Sequence, residues 1–126
     1  MSRRTTECLV LLLCGDEVWL RQTPAGRDGI RLEVPEDHAP SEVVARAVLG
    51  TEAGIESPPR RIATLHHGDG RTEGVYACAM SGHGKLEGWL PWPKVGGFKL
   101  APYLRWLVPL AMDRKDIYSA IDVELW

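Results

Sequence analysis

The sequence predicts a single α+β domain, on three observations. Apolar runs of strand length recur on both sides of one amphipathic helix at residues 41–54. A second helical stretch, at 102–112, is apolar nearly all round. The chain of 126 residues is of single-domain size and long enough to bury a core. Residues 1–126 form that one domain, with 113–126 as a C-terminal apolar tail. No internal repeat or low-complexity segment interrupts them.

The elements follow in order. Residues 7–13 (ECLVLLL) are a near-continuous apolar run, as expected of a strand buried on both faces. Gly15-Asp16 is a turn signal, and residues 17–22 (EVWLRQ) read as the returning strand of a hairpin. Residues 23–29 (TPAGRDG) are expected to form an exposed loop. Ile30, Leu32 and Val34 alternate with Arg31 and Glu33, the period of a half-buried strand. Pro35 ends it in an acidic turn.

The helix that follows has Ser41 as its expected N-cap, since a hydroxyl accepts from the unpaired amides of the first turn. Glu42 complements the positive end of the helix dipole. Gly54 is the expected C′ residue, because glycine enters the left-handed region without a Cβ penalty. Ser57-Pro58-Pro59 then forces extended chain. Residues 60–66 (RRIATLH) read as a strand, 67–70 (HGDG) as its turn, and 73–80 (EGVYACAM) as the next strand, with Val75, Ala77 and Ala79 on one face. Residues 85–90 (KLEGWL) start a further segment, which Pro91-Trp92-Pro93 ends.

The last helix is expected to begin near Ala101-Pro102, where proline suits the first turn, and Pro109 is positioned to kink it. A helix this apolar must be covered on more than one side. In the tail, Ile121, Val123 and Leu125 alternate with acids, as in a strand; Ile117, Ile121 and Leu125 are also four apart, as in a helix. Packing on its own domain and a subunit contact are both consistent with that composition.

Residues 31–55 (RLEVPEDHAPSEVVARAVLGTEAGI), a strand, a loop, a helix and then T-E-A-G-I, resemble the Nudix box, G-x5-E-x7-R-E-U-x-E-E-x-G-U with U aliphatic. Gly54 and Ile55 match its terminal G-U, Glu52 the second glutamate of E-E, and Leu49 the aliphatic position. Thr51 stands where the first glutamate of that pair belongs. Val48 stands at the glutamate of R-E, and Ala47 at its arginine. Glu36 and Asp37 replace the expected glycines after Pro35. The box is therefore degenerate. A late strand with a tryptophan, a loop and a C-terminal helix repeat the family's order, so the resemblance covers residues 7–112.

The resemblance implies an α/β/α sandwich with a mixed β-sheet. It also implies hydrolysis of a nucleoside diphosphate linked to another group, with helix glutamates holding divalent ions. Carboxylates three and four apart share one helix face and converge on one cation. Here Glu52 is the one box carboxylate retained, the candidate metal ligand and catalytic residue, with Glu33, Glu36, Asp37 and Glu42 near it in sequence. A weakly bound Mg²⁺ is the cofactor this set would hold, since Mg²⁺ keeps several waters. Arg31 and Arg60 are candidate substrate-binding forks for phosphate, alongside Arg21, Arg27, Arg61 and Arg71. Trp89 is the candidate stacking partner for a base, with Trp19 and Trp92 as alternatives. His66, His67 and Asp69 form a compact polar group, read more simply as a surface turn.

Two functional readings follow. One is a Nudix-like module that binds a nucleoside diphosphate derivative or a protein without efficient hydrolysis. The other is a Mg²⁺-dependent hydrolase with a site rebuilt from other acids. Missing carboxylates at 48 and 51 favour the first, and Val48→Glu with Thr51→Glu is expected to raise Mg²⁺ affinity. A net charge of −2 gives no attraction for nucleic acid or an anionic membrane. Cys8, Cys14 and Cys78 lack metal-ligand spacing, which points to reduced thiols and a cytoplasmic protein. Arg3-Arg4 precede a short apolar run that Glu7 interrupts, unlike an export signal. Tyr103, Trp106, Leu110 and Trp126 exceed what a small core readily covers, and predict a homodimer through the C-terminal helix and tail.

Overall fold

The computed structural model describes residues 4–113 and 120–125. Nine strands and two α-helices follow in the order β1 (Glu7–Cys14), β2 (Glu17–Trp19), β3 (Arg21–Thr23), β4 (Gly26–Asp28), β5 (Ile30–Glu33), α1 (Pro40–Gly50), β6 (Arg60–His67), β7 (Thr72–Ala79), β8 (Trp89–Pro91), α2 (Leu104–Met112) and β9 (Ile121–Leu125). Trp92–Gly97 form a 3₁₀ turn between β8 and α2.

The main sheet is mixed and seven-stranded, in the order β8-β2-β1-β7-β6-β9, with β5 also on β1. β1 runs parallel to β7 along one edge. Its other edge is shared, pairing antiparallel with β5 over Glu7–Val10 and with β2 over Leu13 and Cys14. β1 is thus enclosed on both edges, and both of its faces are covered. Leu9, Leu11 and Leu13 pack with Leu104, Leu107, Val108 and Ala111 of α2. Cys8, Val10 and Leu12 pack on the other side with Val44 and Val48 of α1. A strand with two buried faces has no position left for a polar residue, which is why the run is continuous rather than alternating. One helix therefore lies on each face of an α+β fold with a mixed sheet.

Several boundaries differ from the sequence expectation, each for a local reason. α1 starts at Pro40, with Ala39 at the N-cap and no side-chain cap, so Ser41 lies inside the first turn. Proline at the first helical position supplies a preset φ and loses no needed donor. The helix ends at Gly50, and Glu52 takes the left-handed conformation at φ 59°. Gly54 instead lies close against Ser81, whose hydroxyl would have to turn away from a Cβ there. α2 begins at Leu104, after Tyr103 at φ 71°, so Pro102 lies in the preceding turn. Its buried residues form one stripe, while Tyr103 and Trp106 are 45% and 43% exposed.

Residues 17–22 split rather than forming one strand: β2 ends at Trp19, and β3 pairs with β4 in a separate two-stranded ribbon. The expected exposed loop at 23–29 thereby becomes structured, with Gly26, Asp28 and Gly29 buried. Thr23 Oγ1 donates to Gly26 O at 2.6 Å, closing the turn. Arg27 N donates to Lys99 O at 2.8 Å, and Ala101 N to Arg27 O at 2.9 Å, docking the ribbon on the approach to α2. Residues 85–88 lie outside β8, which is only three residues long. The tail resolves as a strand: β9 runs parallel to β6, with Val123 beside Leu65. Ile117 and Trp126 lie outside the described residues.

Candidate functional site

Strand register assembles a charged cluster on the α2 face of the sheet. Glu7 lies directly beside Glu73 across the β1–β7 pair. Both continue the rows of Leu9, Leu11, Val75 and Ala77, which enter the α2-side core. Arg31 pairs with Leu9 from β5. On β6, Leu65 lies beside Glu73, and His67 follows two residues on, which places it on the same face. Three adjacent strands and their neighbour thus turn their last inward positions from apolar to polar.

The contacts form a connected network. Arg31 Nε donates to Asp28 Oδ2 at 2.9 Å, and Nη2 to Asp28 Oδ1 at 3.3 Å. Its Nη1 donates to Glu73 Oε2. Asp28 Oδ1 also accepts from the Gly29 amide at 2.8 Å. Glu73 is only 3% exposed, and its Oε1 lies 3.1 Å from His67 Nε2. With an ionised carboxylate as acceptor, that imidazole nitrogen carries the proton. Arg71 Nη1 donates to Glu7 Oε1 at 3.0 Å, while its Nε donates to Asp69 Oδ2 at 2.7 Å.

Burial pulls the Arg31 guanidinium towards the neutral form. The Asp28 hydrogen bond and the charges of Glu73, Asp28 and Glu7 outweigh it, so its pKa rises above the ordinary value. The Arg71 amide and guanidinium hold the Asp69 carboxyl below its usual range. Four carboxylates (Glu7, Asp28, Asp69 and Glu73) face two guanidiniums (Arg31 and Arg71) in this network. Carboxylates thus outnumber guanidiniums by two among these groups.

A cavity of about 340 Å³ opens beside the network, lined by Asp28, Arg31, His67, Arg71 and Glu73. Ala101, Pro102 and Tyr103, from the turn before α2, form part of its wall. The left-handed Tyr103 ends that turn and starts the helix beside the cavity.

Of the residues singled out in the sequence, Arg31, Arg71, His67 and Tyr103 line this cavity, whereas Glu52, Arg60 and Trp89 do not. Glu52 is exposed and follows α1, the helix of the opposite face. Among the described residues, one group of three potential ligand side chains has its donor atoms within 4.8 Å of one another: Glu7, His67 and Glu73. Glu52, Glu33, Glu36, Asp37 and Glu42 are outside it, and Asp37 pairs instead with His38 at 2.9 Å. Arg60 donates to Ala111 O at 3.0 Å, satisfying a carbonyl in the last turn of α2. Trp89 stacks on His83 with ring centroids 4.6 Å apart and packs on the α1 side. His67 and Asp69 do join the network, so the polar turn is more than a solvated surface. Glu73, Glu7 and Asp28 carried no motif. The signal for Glu73 was its place in the period-two row of Val75 and Ala77, which marks it as inward-facing. No protein-family model matches this chain, and no curated protein does.

Proposed function

We propose that this chain is a Nudix-like α/β/α sandwich that binds an anionic small molecule, of the nucleoside diphosphate class, without hydrolysing it efficiently. The carrying observation is the state of α1. Val48 is fully buried in the core and Thr51 Oγ1 donates to Val48 O at 2.6 Å, which leaves Glu52 as the one carboxylate at the box positions. A Mg²⁺ ion at Glu52 keeps nearly all its waters there and binds weakly. Metal-assisted cleavage needs both a populated ion and a positioned water, so turnover is slow or absent. The cavity beside Arg31 is the ligand site of this reading, with Tyr103 as an aromatic wall; the Arg31 and Arg71 guanidiniums reach a ligand phosphate only in exchange for the carboxylates that hold them. The assay is nucleotide or phosphate release over a panel of ADP-ribose, dinucleotide polyphosphates and nucleoside triphosphates, with Mg²⁺ and with Mn²⁺. Robust turnover that disappears in Glu52→Gln would overturn the reading in favour of a working hydrolase.

Neither nucleic acid nor a membrane is a partner in this reading; the net charge is −2, and no helix among the described residues is long and apolar enough to cross a membrane. A cytoplasmic homodimer through α2 and the tail is the assembly we propose. Tyr103, Trp106 and Ile121, at 45%, 43% and 41% exposure, would lose apolar surface to water-free contact. Light scattering that gives a monomer mass at high concentration would remove it.

A further inference from the structure

We propose that Glu7, His67 and Glu73 form a binding site for a divalent transition-metal ion, of the zinc type, on the α2 face of the sheet. The site is separate from Glu52 and shares its cavity with the ligand site proposed above. Three features carry it. The first is the donor set: one imidazole nitrogen and two carboxylates, with ligand atoms within 4.8 Å of one another. Imidazole with carboxylate suits zinc and its neighbours, whereas Mg²⁺ prefers oxygen and water.

The second is how the donors are held. Each comes from a strand rather than a loop, on β1, β6 and β7, and Glu7 and Glu73 are register partners. Glu73 is almost wholly buried, with its Oε2 anchored by Arg31, while Oε1 faces His67 Nε2 at 3.1 Å. That separation is close to the edge of a zinc coordination tetrahedron, in which ligands about 2.0–2.1 Å from the ion lie a little over 3 Å apart. A metal ion between the two atoms takes the Nε2 lone pair of the neutral ring, whose proton is then carried on Nδ1. Arg31 then remains as the outer partner that orients the ligating carboxylate.

The third is charge. Four carboxylates face two guanidiniums in the network, and a divalent cation offsets that excess of acidic groups. The cavity of about 340 Å³ reaches His67 and Glu73, giving the ion an entry path and room for the water that completes its coordination.

The test is calorimetric titration of the chelator-treated full chain with Zn²⁺ alone and with Mg²⁺ alone. It is repeated for His67→Ala, Glu7→Gln and Glu73→Gln, with circular dichroism to confirm that each variant is folded. One equivalent of Zn²⁺ is expected to bind, with Mg²⁺ at least a hundredfold weaker. His67→Ala and Glu7→Gln are each expected to lower Zn²⁺ affinity tenfold or more. Glu7 is partly exposed and at the start of its strand, so Glu7→Gln keeps the test alive if Glu73→Gln does not fold. Cobalt substitution adds a spectroscopic reading, since visible absorption of tetrahedral Co²⁺ should vanish in His67→Ala. Absence of stoichiometric Zn²⁺ binding would overturn the proposal. So would Zn²⁺ binding that is unchanged in His67→Ala and Glu7→Gln, which would place the ion elsewhere. Because no nucleotide is present, neither result depends on whether the protein binds or hydrolyses one.

Discussion

Rebuilding the missing box carboxylate at position 48 should strongly destabilise the protein rather than create a metal site. Val48, on α1, is fully buried against the row of Cys8, Val10 and Leu12. At pH 7 a glutamate there must take up a proton on folding or bury its charge. Against an unfolded pKa of about 4.3, holding the proton at pH 7 costs roughly 3.7 kcal/mol, at 1.36 kcal/mol per pH unit. Lost valine packing and the imperfectly bonded carboxyl add about 1–2 kcal/mol. The total, about 5 kcal/mol, equals the whole stability of a marginal domain. The sequence expectation that Val48→Glu with Thr51→Glu raises Mg²⁺ affinity is therefore replaced. Thr51→Glu alone should cost about 1 kcal/mol, from loss of the hydroxyl bond to Val48 O.

The buried carboxyl has a raised folded pKa, so the folded state retains the proton and the penalty grows as pH rises above about 4.3. Urea unfolding of Val48→Glu and the parent, followed by circular dichroism, measures it. The difference should shrink by about 3 kcal/mol between pH 7 and pH 5. A pH-independent difference below about 1 kcal/mol would refute the reasoning, because the side chain would then have reached water. So would tight Mg²⁺ binding by the folded double variant.

Two glycines should respond in opposite directions in the same unfolding assay. Gly29→Ala puts a Cβ 2.7 Å from Val10 O, a backbone atom of the central strand, and should cost about 2–3 kcal/mol or more. Gly50→Ala, at the open end of α1 with nothing within 4 Å, should stabilise by about 0.5–1 kcal/mol. Burial, helped by Glu73 and Glu7 and opposed by Arg61, pushes the Cys8 thiol up to about 11. Its contribution to stability is intact below a thiol's ordinary value of 9.0 and is lost as pH rises through about 11. Cys8→Ala should show a smaller loss across that window. At pH 8 a thiol reagent should modify the half-buried Cys14 before Cys8 or Cys78.

The elements legible in the sequence were those whose burial pattern is local. β1, with two covered faces, could only be a continuous apolar run, and β5 was marked by Ile30 and Leu32, although Arg31 between them is as half-buried as they are. The β3–β4 ribbon was hidden because it depends on Lys99 and Ala101, far along the chain, to fix Arg27. Gly54 invited the C′ role by type, but the residue packed against it is Ser81, which no helix pattern announces. At the candidate site, Arg31 was singled out by type, but its fork holds Asp28, a partner the alternation of its strand does not announce. Glu73 was overlooked because an acid at the start of an apolar strand reads as its solvent edge. Only the β1–β7 and β6–β7 registers turn it inward beside Glu7 and His67.

The pairing of β1 also sets an order of events. Glu7 meets Glu73 in parallel, and the neighbouring Thr6–Thr72 contact spans 66 positions of chain. Local hairpins such as β1–β2 and β6–β7 close short loops and can form early. The first strand, however, stays half-clothed until β7 has been made, so its leucine-rich edge is exposed to any competing strand during synthesis. Loop-closure entropy delays that union without any slow chemical step. Interrupted translation before residue 80 would release a chain whose most apolar segment lacks its long-range neighbour, and aggregation is the natural fate of such an edge.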